Sequence, residues 1–125
     1  VLVPNDHPLA KKDGVSPEDL SGIPLLMSGR ETVRNELASW FGDVYETLEI
    51  AATFDLILNA ANMVKNGVGA ALCFHLENIS ADLTFVPLVP SLETGTVLAW
   101  KKDQSMSPAA EQFLGFLRSR NTNQP

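Results

Sequence analysis

His75 and Glu77, two positions apart, are the nearest this sequence comes to a catalytic or metal-binding pair, and one such pair is common by chance. His7 lies far from both, and neither histidine has a second ligand at metal spacing. Each reads as a satisfied loop or surface side chain. Cys73, the single cysteine, sits in the apolar run Gly69–Phe74 and reads as a small buried hydrophobe rather than a nucleophile. Gly67-Val68-Gly69 lacks the third glycine and the helix start of a dinucleotide loop, and no Gly-x-Ser-x-Gly elbow, Walker loop or Cys-x-x-Cys occurs. Carboxylates are scattered, with no isolated pair for acid–base work. The side chains point away from turnover and towards binding, with no cofactor or metal implied.

The elements that would position a binding site follow from periodicity and punctuation. Val1–Val3 is a short β-prone stub, and Pro17 starts a single helical turn that Leu20 anchors. Pro24–Met27 reads as a buried strand. Ser28-Gly29-Arg30-Glu31 has the spacing of a capping box opening a helix with the stripe Val33, Leu37, Trp40 and Phe41, which Gly42-Asp43 ends. Thr47–Ala52 reads as the next strand, with Leu48 and Ile50 on one face. Thr53 is placed to cap a second helix, with Asp55 in its first turn, the stripe Ile57, Ala60, Ala61, Val64 and a stop at Asn66-Gly67. Val68–Phe74 suits a strand covered on both faces, and Leu83–Val86 and Thr96–Trp100 are further strands. Ser107-Pro108 opens a last helix with the stripe Ala110, Phe113, Leu114, Leu117, before a frayed tail at 121–125. Pro87–Glu93 is linker-like. Alternating strands and helices predict an α/β fold with a parallel sheet, whose ligands sit at strand carboxyl ends near a topological switch point. The loops to watch are Ser28–Thr32, Ala52–Phe54 and Phe74–Leu76.

With 125 residues, 45% hydrophobic and 19% charged, the chain can build one ordinary core without disulfides or metals. Nine basic against fifteen acidic residues give a formal charge of −6, which repels phosphate backbones; Lys11–Lys12 and Lys101–Lys102 read as solvated pairs. No apolar run is long enough to span a bilayer. The chain opens on Val1, so a processed or truncated product is expected, and a missing signal peptide says little about compartment.

Four segments resemble the effector-binding domain of LysR-type transcription regulators. They are Val1–Ala10 with its His7-Pro8-Leu9-Ala10, Val15–Leu20 followed by Pro24–Met27, Met63–Leu72 with its Val-Lys-Asn-Gly-Val-Gly run, and Ser107–Leu114. They occur in the family's order over nearly the whole chain, but cover only the later part of its sensing domain. The resemblance implies a periplasmic-binding-protein-like (type 2), doubly wound lobe. Residues 5–95 would be the second lobe, and 96–120 a return strand and helix toward the first lobe. The family's winged helix-turn-helix would lie outside this chain, and with it any contact with DNA. One departure is Phe74-His75 after the fourth strand, where the family usually has proline.

On that resemblance the chain is the ligand-sensing and self-associating module of a cytoplasmic, dimeric regulator, which takes a small-molecule effector in the crevice between lobes. The alternative is a fragment of an extracytoplasmic solute-binding protein. Ser28 offers a hydroxyl to an effector or caps its own helix, and Arg30 pairs an anionic ligand or is solvated. Thr53 shares the ambiguity of Ser28, while Phe54 and Phe74 either wall the pocket or pack. The stripe of Phe113, Leu114 and Leu117 would lack its usual cover, so the last helix is expected to dock on another copy or fold back, and Thr96–Trp100 to pair with Val1–Val3 or a neighbour. The charge balance carries one direct expectation: the purified chain gives no sequence-selective gel shift on a promoter fragment at low salt. Tight selective binding there would contradict it.

Overall fold

The structure, a computed structural model, describes residues 1–95, 97–103 and 105–121. The chain divides into a unit of Val1–Glu93 and a second of Thr94–Pro125. In the first, five strands form one sheet: β1 (Leu2–Pro4), β2 (Leu25–Ser28), β3 (Ile50–Phe54), β4 (Ala70–Ala71) and β5 (Leu83–Phe85), in the order β3-β2-β4-β1-β5. β2 runs parallel to β3 and β4, whereas β1 lies antiparallel between β4 and β5. The sheet is therefore mixed, not wholly parallel. With both edges of β1 occupied by β4 and β5, no edge is left for Thr96–Trp100, and residues 97–100 form no strand; Thr96 lies outside the described residues.

Strand alternation sorts the core into two layers. Val1, Val3, Leu25, Met27, Ala70, Leu72 and Val86 face one way, with Leu37 and Phe41 of helix α1 (Glu31–Phe41) and with Leu9, Val15 and Leu20. Leu2, Leu26, Phe54, Ala71 and Leu83 face the other way, with Ala60, Ala61 and Val64 of helix α2 (Ile57–Lys65). A helix on each face makes the sheet doubly wound. Leu2, Leu25 and Leu26 have no exposed surface, and burying each such side chain is worth about 1.5–3 kcal/mol.

The expected elements differ at their ends, for physical reasons. The β2–β3 ladder runs through Ser28↔Phe54, and the Gly29 amide donates to the Phe54 carbonyl at 3.0 Å. The chain therefore stays extended past Ser28; Arg30 caps α1, and the Ser28–Glu31 capping box does not form. The residues after α1, Gly42–Thr47, wind into a 3-10 segment, where the Thr47 hydroxyl donates to the Val44 carbonyl at 2.7 Å. The third strand is thereby displaced to Ile50–Phe54 and Thr53 lies inside it; Leu56, not Thr53, caps α2. The register slips between Leu25 and Leu26, so Ile50 is exposed while Ala52 and Phe54 face α2. Lys12 pairs with Asp19 rather than standing solvated.

Pro87–Glu93 is no linker. The Val15 amide donates to the Pro87 carbonyl, the Val89 amide donates to the Val15 carbonyl, and Leu88 and Leu92 pack on the α1-side core. In the second unit, helix α3 spans Pro108–Asn121, with the Ser107 hydroxyl accepting from the Ala110 amide at 3.3 Å. Leu114 and Leu117 are half-buried, and Phe113 is 55% exposed. Of the frayed tail expected at 121–125, Asn121 is the last residue of α3 and 122–125 lie outside the described residues.

Two glycines in the run after α2 have different jobs. Gly67 turns the chain with φ of 75°, a left-handed conformation that side chains resist. Gly69 passes so near β2 that a β-carbon would lie 2.4 Å from the Pro24 carbonyl oxygen and 2.9 Å from its carbon, both backbone atoms. Gly69→Ala is expected to cost about 3 kcal/mol in urea unfolding, because main chain must move. Gly22→Ala, which meets only the strain of φ 76° with nothing within 4 Å, is expected to cost about 1 kcal/mol. Equal costs would mean that the close approach is not what constrains Gly69.

Candidate functional site

Three parallel strands end at the same edge of the sheet. β2 is followed by β3 on one side of it and then by β4 on the other, so the strand order reverses between β2 and β4. At such a reversal the two connections run to opposite faces of the sheet, and the strand carboxyl ends there are the usual place for a ligand. Ser28 ends β2, Phe54 ends β3, and Phe74 follows β4 by three positions. Topology thus brings Ser28, Arg30, Phe54 and Phe74 to one end of the lobe, with Thr53 one residue inside it.

Their environments are unlike. Ser28 is half-buried, and its hydroxyl oxygen accepts from the Arg30 amide at 3.2 Å. The hydroxyl hydrogen remains able to donate to an acceptor such as a carboxylate. Arg30 is exposed at the cap of α1, where the first helical amides have no side-chain cap and point outward. Glu31 in that first turn opposes an anion, so Arg30 has to outweigh it. Phe54 is only 8% exposed and packs beneath α2 with Leu26 and Ala60; it is core and not a wall. Thr53 is exposed, but it pairs in register with Met27, on the opposite parity from Ser28↔Phe54. The strand pleat directs it to the α1 side, away from the face to which Ser28 belongs. Phe74 is 52% exposed.

Two contributors escaped the sequence reading. Asp55 was assigned to the first turn of α2, yet its carboxylate lies beside Gly29, 3.1 Å from where a β-carbon there would be. His75 stacks on Phe85 with ring centroids 4.7 Å apart and 14° between planes, tying the segment after β4 to β5. No local pattern marks either contact, because each joins residues well apart in the sequence. Among the described residues there is no group of three His, Cys, Asp or Glu able to hold a metal ion, and no helix is long and apolar enough to cross a membrane.

Cys73, level with the end of β2, is the one titratable side chain here with a large shift. Burial pushes its thiol from the ordinary 9.0 up to about 11. The folded chain therefore keeps the proton at pH values where the unfolded chain loses it. This contribution is complete below pH 9 and is lost as pH rises through 11, by about 3 kcal/mol in all. Urea unfolding from pH 8 to 11 is expected to show that loss in the wild type and a shallower one in Cys73→Ala. Identical profiles would show that the thiol does not titrate with folding.

Residues 1–122 match the LysR substrate binding domain. The chain is 29% identical over 129 aligned positions to the Hca operon transcriptional activator HcaR of Escherichia coli K12, covering 96% of this chain and 42% of that protein. It thus spans about two fifths of that relative's length. The fold is similar to HinK, a LysR family transcriptional regulator from Pseudomonas aeruginosa, with a TM-score of 0.75 at 24% identity, over 95% of this chain and 43% of that one. It is also similar to the effector binding domain of QuiR in complex with shikimate, with a TM-score of 0.69 at 20% identity, over 99% and 61% respectively. With 122 of its 125 residues inside that match, and a doubly wound lobe of the periplasmic-binding-protein type, the chain belongs to the LysR substrate-binding domain family.

Proposed function

We propose that this chain is the effector-sensing part of a LysR-type transcription regulator, and that a small carboxylate binds at the carboxyl edge between β2 and β4. The observation that carries the reading is the reversal of strand order there, with Ser28 ending β2, α1 starting without a side-chain cap just after it, and the exposed Phe74 three positions after β4. Ser28 donates to the ligand, Arg30 supplies charge, and Phe74 covers an apolar part of it. The bound shikimate of QuiR supports a ligand of this size and charge. The device binds without turnover. Ligand that favours one lobe arrangement shifts the population between two assembly geometries, and so the placing of the DNA-binding domains. Residues 96–120 return toward the first lobe, whose surface covers Phe113. The domain self-associates, and the regulator works in the cytoplasm, where its DNA is. No relative named above supports the solute-binding alternative.

Titration calorimetry of the parent regulator with shikimate and a panel of other small carboxylates tests this. At least one is expected to bind, with Ser28→Ala weakening it about tenfold or more, the worth of one hydrogen bond to a charged group. Phe54→Leu is expected to change stability rather than affinity. Binding untouched by changes at Ser28, Arg30 and Phe74, or no binding across the panel, would overturn the site.

A further inference from the structure

Helix α1 touches two functionally different places at its two ends. Its N-terminal end rises from the Ser28–Arg30 lip, and its C-terminal end carries Trp40 and Phe41. Eleven residues separate these ends by about 16 Å. At the far end, the Trp40 indole N–H donates to the Pro90 carbonyl at 2.6 Å, a bond between residues 50 positions apart in sequence. Pro90 belongs to the segment 86–93 that completes the first unit, and this segment is fastened along its length. Val15 donates to the Pro87 carbonyl at 2.9 Å, and Val89 donates to the Val15 carbonyl at 2.8 Å. Gly14 is glycine where a β-carbon would lie 2.4 Å from a Val89 methyl, so the two stretches lie in close contact. Leu88 and Leu92 pack on the same core as Phe41. The Trp40 ring is itself seated edge-on against Phe41, with centroids 4.8 Å apart.

We infer that α1 is a strut between the site lip and the exit segment 86–93, and that Trp40 is the positioning residue joining the two. An 11-residue helix packed through Leu37 and Phe41 moves as one body more readily than it bends. A displacement of the lip is thus delivered to Pro90 through the one side chain that bonds across. Among the described residues, what remains between α1 and the exit segment without the indole N–H is the apolar packing of Leu88 and Leu92, which tolerates sliding. In the sensor proposed above, this makes the direction in which the chain leaves the lobe responsive to what occupies the lip. That last step rests on the effector reading, whereas the strut itself does not.

The test uses amide hydrogen exchange and NMR shifts on the 125-residue chain, with no ligand. Trp40→Phe keeps an aromatic ring and removes the donor. Exchange at Val15 and Val89 is expected to quicken about tenfold, the worth of one hydrogen bond, with the sheet amides Ala70 and Leu72 within about twofold of wild type. A uniform rise at all four would mean ordinary destabilisation, and no rise at Val15 and Val89 would mean that Trp40 fastens nothing; either overturns the proposal. Gly29→Ala, which sets a methyl against Asp55 at the lip, is expected to shift the Trp40 indole and Val89 amide resonances. In the Trp40→Phe background its effect at Val89 is expected to vanish. Shifts that die out along α1 before Trp40, or that reach Val89 equally in both backgrounds, would refute the strut. All these outcomes are read without effector, so failure of effector binding leaves them standing.

Discussion

Gly69 runs so close to Pro24 that no side chain fits between them, and the Ala70 amide donates to the Pro24 carbonyl at 2.9 Å across that gap. This contact sets the register of β4 on β2, which places Leu26 opposite Ala71. From it follows the level at which the strands end, and hence the edge that Ser28 and Phe74 share. The strand it positions is made of alanines, and their smallness has a purpose. Covered on both faces, β4 lets α2 approach through Ala60 and Ala61, where larger residues on both sides would hold the helix off.

The two faces of the sheet are built differently. The α2 side is a compact helix-on-sheet layer, with Leu26, Phe54 and Val64 closing it. The α1 side takes in distant chain: Leu9, Val15 and Leu20 from the first connection, and Leu88 and Leu92 from the exit segment. A face assembled from several irregular stretches depends on hydrogen bonds to hold each in place. His7 illustrates this locally, its Nδ1 accepting the Leu9 amide at 3.2 Å. The α1 side is therefore tied together by separate hydrogen bonds between distant stretches, and the α2 side by helix-on-sheet packing alone.

How much was legible in the sequence depended on whether the deciding contact was local. The α2 stripe of Ala60, Ala61 and Val64 and its stop at Gly67 needed only helical periodicity and a left-handed turn, and both stand. The two expected caps, Ser28 and Thr53, failed for one shared reason. The pairing of Ser28 with Phe54 prolongs both strands, and capping chemistry cannot register a partner strand twenty-six residues away. Pro87–Glu93 looked like a linker because its bonds are to Val15 and Trp40, which no window of sequence contains. Of the candidate site, strand-end topology alone puts Ser28, Arg30 and Phe74 at one end of the lobe. The burial of Phe54 and the approach of Asp55 to Gly29 required the folded neighbours.

A common edge does not by itself make a common pocket, and the pleat decides the difference. Ser28 and Phe54 are register partners, so both belong to the α2 face; Met27 and Thr53 are the next pair inward and belong to the other. Two hydroxyls one position apart in the ladder are thus separated by the thickness of the sheet. Ser28 leads directly into the start of α1, where its oxygen already accepts the Arg30 amide. Thr53 leads into Phe54, which is buried, and then into Asp55, whose negative charge would repel an anion approaching from that side. Because the Asp55 carboxylate reaches across to Gly29 at the end of β2, any anion brought to this edge would meet that negative charge beside the Ser28 hydroxyl, and the Arg30 guanidinium would have to outweigh it.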